Sequence, residues 1–166
     1  GDRVTIEPQV GCGECAMCKI GAVSLCKNKK VPGTPGWIGT FSEYFNAEES
    51  VLYKLGDDIS YERGTLTEPL AVAVQILHRA ETKQGSLVIL GGGTIGQLLL
   101  AVAKKRGFAP IIVTDTVEFN REFALSHGAD YAFDPIHDNV EEEVKKITGE
   151  GADLVVVAAG ANNILD

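Results

Sequence analysis

Four cysteines, the only ones in the chain, fall within one short glycine-rich stretch. They are Cys12, Cys15, Cys18 and Cys26. Their spacing is C-x2-C-x2-C-x7-C, and four thiolates on such a loop can close tetrahedrally on Zn²⁺ without straining the backbone. A four-thiolate site has no open coordination position for substrate or water. The spacing therefore predicts a structural zinc site that performs no chemistry itself.

Two other states of these cysteines stay open from the sequence. Disulfides would bridge distant segments of a secreted protein, whereas clustered cysteines without a signal-like N-terminus indicate metal ligation in a reducing compartment, here the cytoplasm. An iron–sulfur cluster shares the C-x2-C-x2-C run of bacterial ferredoxins. In that pattern a proline follows the fourth cysteine, which also comes sooner, whereas here Lys27 follows Cys26. Zinc is favoured over both.

A second cluster of candidate residues is the glycine-rich segment GGGTIG at 91–96, which matches G-x-G-x-x-G. The pattern alone is weak, but here it follows a predicted strand at 87–90 and opens a predicted helix, the context that a dinucleotide site requires. Gly91 permits the tight turn, Gly93 lets the backbone approach a pyrophosphate, and Gly96 allows the helix to pack on the strand. The helix N-terminus offers N–H groups to the phosphates.

An acid at the end of the following strand completes this pattern. Asp115 lies at the expected distance from the glycines and can accept hydrogen bonds from both adenosine-ribose hydroxyls. A carboxylate there repels a 2′-phosphate, so NAD is expected over NADP. The alternative is that Asp115 merely caps the next helix.

The elements that position these residues divide the chain near residue 70. Before it, short strands are predicted at 3–6, 41–45 and 51–54, separated by Gly- and Pro-rich loops. After it, apolar runs alternate with amphipathic helices, which is typical of a parallel sheet with crossovers. Strands are predicted at 87–90, 111–114, 131–133 and 154–158, and helices at 69–79, 95–106, 118–126 and 140–148. We expect an α/β protein with a partial doubly wound sheet of about four parallel strands.

Composition narrows the class of partner. The 166 residues carry a formal net charge of −8, which argues against binding to a phosphate backbone, so no nucleic acid is expected. No apolar stretch reaches membrane-spanning length, so no membrane is expected either. The chain begins at Gly1 within a predicted strand, and four strands are fewer than the roughly six of a full dinucleotide fold. We therefore expect it to be a piece of a longer protein.

The motifs resemble those of a known family. GDRVTIEP followed by CGECAMCKIGAVSLC, then GTFSEY and EPLAVA, looks like the medium-chain zinc dehydrogenases, which include alcohol, sorbitol and threonine dehydrogenases. The resemblance implies a partial GroES-like β lobe over 1–69 that carries the zinc loop, and a partial NAD-binding Rossmann domain over 70–166. It implies a zinc-dependent, NAD-linked oxidoreductase whose substrate is an alcohol or polyol. It also implies that the longer protein assembles as a homo-dimer or homo-tetramer.

The resemblance also assigns roles to single residues. Glu68 would lie at the catalytic zinc, as a ligand or as a group that assists proton movement, although it could equally be an acid at a helix N-terminus. Ile95 would contact the cofactor. The family often places an arginine five residues after the ribose acid, where this chain has Asn120, with Arg121 one place later.

The family's other catalytic-zinc ligands precede the zinc lobe, so the chain alone is expected to be inactive. Its histidines, His78, His127 and His137, are expected to be surface or packing residues. Two alternatives of other classes are a zinc-ribbon-like interaction module and a non-catalytic remnant of a truncated reading frame. The first would leave the glycine turn and Asp115 unexplained.

Overall fold

The computed structural model describes residues 1–160 and separates into two compact units, the first ending at Thr67 and the second beginning at Glu68. In the first unit, strand β1 (Val4–Ile6) pairs antiparallel with β2 (Leu52–Lys54). Short helices α1 (Ala16–Lys19) and α2 (Tyr61–Gly64) and 3-10 turns at Val23–Leu25 and Glu49–Val51 complete it. No helix among residues 1–160 has the length and apolar character to cross a membrane.

The prediction of a strand at 41–45 is wrong. This segment has no strand pairing and instead folds as a loop held by local hydrogen bonds: the Ser42 hydroxyl donates to the carbonyl of Tyr44 at 2.7 Å, and the Trp37 indole N–H donates to the carbonyl of Asn46 at 2.9 Å. The apolar side chain of Phe41 is fully exposed. Alternation of aromatic and polar residues predicts a strand only where a neighbouring strand can pair with it.

The second unit is a parallel sheet with helices on both faces. Its helices are α3 (Thr67–Arg79, whose first residue belongs to the first unit), α4 (Thr94–Arg106), α5 (Glu118–Ser126) and α6 (Val140–Thr148). Its strands are β3 (Gly85–Leu90), β4 (Phe108–Thr114), β5 (Tyr131–Phe133) and β6 (Leu154–Val157), in the order β5-β4-β3-β6. The predicted partial doubly wound sheet of four parallel strands is confirmed.

Alternate side chains of the two central strands bury against opposite layers of helices. Leu87 and Ile89 of β3 pack in one cluster with residues of α3, α4 and α5, such as Leu99. Val88 packs on the other face with Val144 of α6. Because both faces are covered, the central strands contain almost no polar residues. The carboxyl ends of β3 and β4 then meet at one edge of the sheet, where doubly wound folds bind their ligands.

Several element ends differ from the sequence prediction. Helix α3 begins at Thr67, so Pro69 is its third residue rather than its first; the early N–H groups of a helix have no intrahelical partner, so proline costs nothing there. Strand β4 begins three residues before the predicted start, because the strand runs through Pro110. The N–H of Ile111, after that proline, donates to the Asp130 carboxylate at 2.7 Å.

Candidate functional site

The four cysteines lie together in the first unit. Their sulfur atoms are all within 4.8 Å of one another, and Cys26 is buried while the other three are partly exposed. A zinc ion with sulfur ligands at about 2.3 Å places tetrahedral sulfurs about 3.8 Å apart. The observed spacing needs only small side-chain movements to reach that geometry. The cysteines therefore fit a single tetrahedral metal ion.

Local backbone geometry brings the sulfurs together. Gly13 and Gly21 have positive φ angles of 76° and 80°, which other residues rarely adopt, and they bend the loop around the thiols. A Cβ at Gly11 would lie 2.7 Å from the Cys18 sulfur, so only glycine leaves room there. Cys15 precedes α1, and its sulfur accepts a hydrogen bond from the N–H of Cys18 at 3.4 Å.

The pKa values of the Cys12 and Cys18 thiols are shifted in opposite directions. The N–H of Glu14, followed by that of Cys15, lowers the pKa of Cys12 to about 6. The N–H of Gly13 acts in the same direction on Cys18, but burial and the neighbouring thiols together raise the pKa of Cys18 to about 11. Clustered thiolates repel one another, and a bound divalent cation removes that repulsion.

The two rival states of the cysteines fit less well. All four thiols are free, and the sulfurs of Cys12 and Cys18 lie 4.0 Å apart. A disulfide needs about 2.05 Å between sulfurs. In a four-iron cluster each thiolate binds a different iron atom, which requires wider separation than one shared ion. A mononuclear site agrees best with the geometry.

The glycine turn joins β3 to α4 in the second unit. Gly91 has a φ of 109°, and a Cβ there would lie 2.7 Å from that of Ala159. A Cβ at Gly96 would collide with the carbonyl oxygen of Gly91, so α4 can pack this closely only with glycine at that position. Gly93, which caps α4, is different: a Cβ there meets nothing within 4 Å. Open space therefore lies over the turn at Gly93.

This open space coincides with unused hydrogen-bond donors. No side chain in the described part of the chain caps the N-terminus of α4, and the first N–H groups of a helix have no intrahelical acceptor. Such a terminus attracts anions through those N–H groups and the helix dipole. The turn therefore fits the pyrophosphate of a dinucleotide.

Asp115 follows β4, and its carboxylate faces the glycine turn. One oxygen accepts the N–H of Gly92 at 2.8 Å and the other accepts the N–H of Val117 at 2.8 Å. Each oxygen retains lone-pair capacity for a ribose hydroxyl. Asp115 thus combines the two alternatives from the sequence: it stabilises the approach to α5 and remains oriented toward the turn.

The other predicted cofactor contacts surround the same turn. Ile95 lies half-buried in the first turn of α4. The Cβ and backbone carbonyl of Asn120, on α5, leave little room for a side chain at Gly92. The same backbone carbonyl accepts a hydrogen bond from the Gln97 side chain at 3.0 Å. Gln97 also donates to the carbonyl of Gly92 at 2.8 Å, so it joins the turn to α5.

Two residues near Asp115 have partners that the sequence analysis does not predict. The Arg121 guanidinium donates to the Asp115 backbone carbonyl at 2.7 Å and forms an ion pair of 3.3 Å with Asp134, which follows β5. The sequence indicates only that Arg121 is displaced by one place from the family position. The position of Asp134 directly after β5, the strand that neighbours β4, is the feature of the sequence that could have indicated this pair.

Glu68 and the histidines belong to neither cluster. Glu68 is exposed in the first turn of α3. His78 is exposed on the same helix, and His127 stacks on the Phe123 ring with centroids 3.9 Å apart. His137 contacts Asp134 at 3.2 Å. The one group of three or more possible metal ligands within residues 1–160 is the cysteine cluster.

Comparison with known proteins agrees with both clusters. Residues 1–57 match the alcohol dehydrogenase GroES-like domain, and residues 94–166 match the zinc-binding dehydrogenase family. A probable D-xylulose reductase A from Aspergillus fumigatus is 39% identical over 97% of this chain and 47% of its own length. The chain therefore spans about half the length of this curated relative.

Solved structures agree over almost the whole chain. An Escherichia coli oxidoreductase/dehydrogenase of unknown specificity has a TM-score of 0.92 and 34% identity, over 99% of this chain and 48% of its own. A putative zinc-binding dehydrogenase from Sinorhizobium meliloti 1021, bound to NADP, has a TM-score of 0.91 and 30% identity, over 100% and 49%. With a GroES-like domain, a four-cysteine loop and a dinucleotide turn in this order, the chain belongs to the zinc-dependent medium-chain alcohol dehydrogenase family.

Proposed function

We propose that the chain is the structural-zinc and NAD-binding part of a zinc-dependent oxidoreductase that acts on an alcohol or polyol. The observation that carries the proposal is the Asp115 carboxylate, which faces the glycine turn beside the open space at Gly93. The turn would hold the pyrophosphate, and Asp115 the adenosine ribose. When bound, NAD supplies the hydride acceptor, and the residues of this chain bind and orient it.

The relatives guide the choice of substrate class. A relative named as a D-xylulose reductase reduces a ketose, and reduction of a ketose carbonyl yields a polyol. The same chemistry in the opposite direction is a polyol oxidation. We therefore propose a polyol or secondary alcohol as substrate, a homo-dimer or homo-tetramer as the assembly and the cytoplasm as the location, where four free thiols stay available for zinc.

Glu68 is the proposed catalytic residue. Its support is the EPLAVA segment that it opens and its exposure in the first turn of α3, which leaves the carboxylate accessible to a ligand. Replacing Glu68 by Gln, in a protein that contains this chain together with the catalytic-zinc ligands, should lower turnover while NAD affinity stays unchanged. Unchanged turnover would show that Glu68 is not catalytic and acts only as an acid at the N-terminus of α3.

Calorimetric titration of the 166-residue chain with NAD tests the proposal. We expect saturable binding of one NAD per chain, protection against thermal unfolding, and no alcohol oxidation. Salt-dependent retardation of DNA without NAD binding would instead favour the zinc-ribbon-like interaction module. Alcohol oxidation by this chain alone would contradict the expectation that the catalytic zinc needs further ligands.

A further inference from the structure

Arg121 is held between the ends of two neighbouring strands. Its guanidinium donates to the backbone carbonyl of Asp115, after β4, and pairs with the carboxylate of Asp134, after β5. The Arg121 and Asp134 side chains are only 19% and 16% exposed. The guanidinium is therefore fixed beside the residue that we propose binds the adenosine ribose.

Asp134 is itself held in one orientation. One of its carboxylate oxygens accepts the N–H of Ile136 at 3.0 Å, and its own N–H donates to the carboxylate of Asp138 at 2.8 Å. The other oxygen lies 3.2 Å from the His137 ring nitrogen and 3.3 Å from Arg121. The pKa of Asp134 is lowered from its ordinary value, because the N–H of Ile136, then the His137 ring and then the charge of Arg121 stabilise the ionised carboxylate.

The charges around this point disfavour a second phosphate. Arg121 contacts the carboxylate of Asp134 and the backbone carbonyl of Asp115. The carboxylate of Asp138 accepts the N–H of Asp134, so a third acidic residue lies next to this pair. Recognition of a 2′-phosphate in a dinucleotide fold requires an arginine whose N–H groups can turn to the phosphate oxygens. Here the Arg121 guanidinium already has a carboxylate and a carbonyl as partners.

We propose that Asp134 is a specificity-determining residue, which retains Arg121 in an ion pair and so withholds the guanidinium from the 2′-phosphate of NADP. The low exposure of both side chains supports this role, because solvent does not compete strongly for either charge. The inference rests on the proposed function, since it requires a dinucleotide at the glycine turn. It adds a second determinant to the repulsion by Asp115.

The test is to replace Asp134 by Asn in the full chain and to measure the dissociation constants of NAD and NADP by calorimetry. We expect the ratio of NADP to NAD dissociation constants to fall about tenfold, because one charge near the phosphate is removed and Arg121 is released. The Asp134→Glu variant, which preserves the ion pair, should keep the original ratio. Adding Arg121→Gln to Asp134→Asn should restore most of the discrimination.

Two further results distinguish a failure of this inference from a failure of the proposed function. If the unaltered chain binds NAD but Asp134→Asn leaves the ratio unchanged, the inference is overturned and the proposed function stands. If the unaltered chain binds neither dinucleotide, both fail. Should Asp134→Asn not fold, Arg121→Gln alone decides: an unchanged ratio supports the inference, whereas selective weakening of NADP shows that Arg121 is already available and overturns it.

Discussion

The carboxylate of Asp115 accepts the backbone N–H of Gly92 at 2.8 Å, a hydrogen bond that ties the end of β4 to the turn that follows β3. The two residues are 23 positions apart and meet because their strands are parallel neighbours. The bond orients the carboxylate before any ligand arrives. Preorganisation of this kind reduces the ordering that a ligand must otherwise bring about.

Asp115→Asn should therefore weaken NAD more than it weakens the fold. The amide oxygen can still accept the N–H of Gly92, and the exposed N–H of Val117, which loses its carboxylate acceptor, can bind water instead. The negative charge that we propose accepts the ribose hydroxyls is lost. We expect an increase of about ten- to a hundredfold in the NAD dissociation constant, measured by calorimetry, since a hydrogen bond to a charged group contributes about 1.5–3 kcal/mol. Glu122→Gln, the same charge change at an exposed position on α5, is the control and should bind NAD normally.

The glycines of the turn should separate folding from binding. A Cβ at Gly96 meets the carbonyl of Gly91, so Gly96→Ala should lower the free energy of unfolding by about 3 kcal/mol through overpacking. A Cβ at Gly93 meets nothing within 4 Å, and its φ of −71° suits alanine. Gly93→Ala should leave chemical denaturation unchanged but reduce NAD affinity, because the methyl group fills the space proposed for the pyrophosphate. Equal stability of the two variants would contradict this assignment.

The periodic parts of the chain could be predicted from sequence, and the tertiary contacts could not. The ends of α5, α6 and β5 agree with the predicted ones because each is a run of one clear period flanked by turn residues. The segment 41–45 also has a local pattern that is typical of a strand, but no strand pairs with it, so it is a loop. Local pattern reports what a segment can form, and partners decide the outcome.

The candidate site shows the same division. The spacing of the cysteines and of the glycines is a local property, and the structure places each set together. The ion pair of Arg121 with Asp134 depends on β4 and β5 lying side by side, which no short window of sequence encodes. The sequence therefore predicts specificity from Asp115 alone, although a second acid lies beside it.

Metal content is the direct test of the cysteine loop. We expect one zinc per chain by elemental analysis, and removal by a chelator should destabilise the first unit, because a ligand at a thousandfold excess over its dissociation constant contributes about 4 kcal/mol. Cys18→Ser should reduce the zinc content and the unfolding temperature. Lys19→Ala, an exposed change at the end of α1, next to Cys18, should alter neither. Two or more iron atoms per chain in place of zinc would overturn the assignment.

At the opposite end of β3, Ser86 and Asp153 join this strand to the segment that leads into β6. The Asp153 carboxylate accepts the Ser86 hydroxyl at 2.6 Å and the Ser86 N–H at 2.8 Å, and the Ser86 oxygen accepts the N–H of Asp153 at 2.9 Å. The hydroxyl and then the amide of Ser86 lower the pKa of Asp153 from its ordinary value of 3.8. The folded chain therefore holds Asp153 ionised more strongly than the unfolded chain does.

This difference predicts how stability depends on acid. The contribution of Asp153 is complete above the unfolded-state pKa and is lost as the pH falls through the lower folded-state pKa, because protonation removes the acceptor that Ser86 uses. The free energy of unfolding should fall between about pH 5 and pH 2, and less steeply in Asp153→Asn. Glu141, whose pKa is lowered by Lys145 on the exposed face of α6, is the matched control. Solvent screens the Glu141–Lys145 pair, so Glu141→Gln should leave the pH dependence of the free energy of unfolding nearly unchanged. An equal pH dependence for the unaltered chain and Asp153→Asn would show that the Ser86–Asp153 contact has no part in acid unfolding.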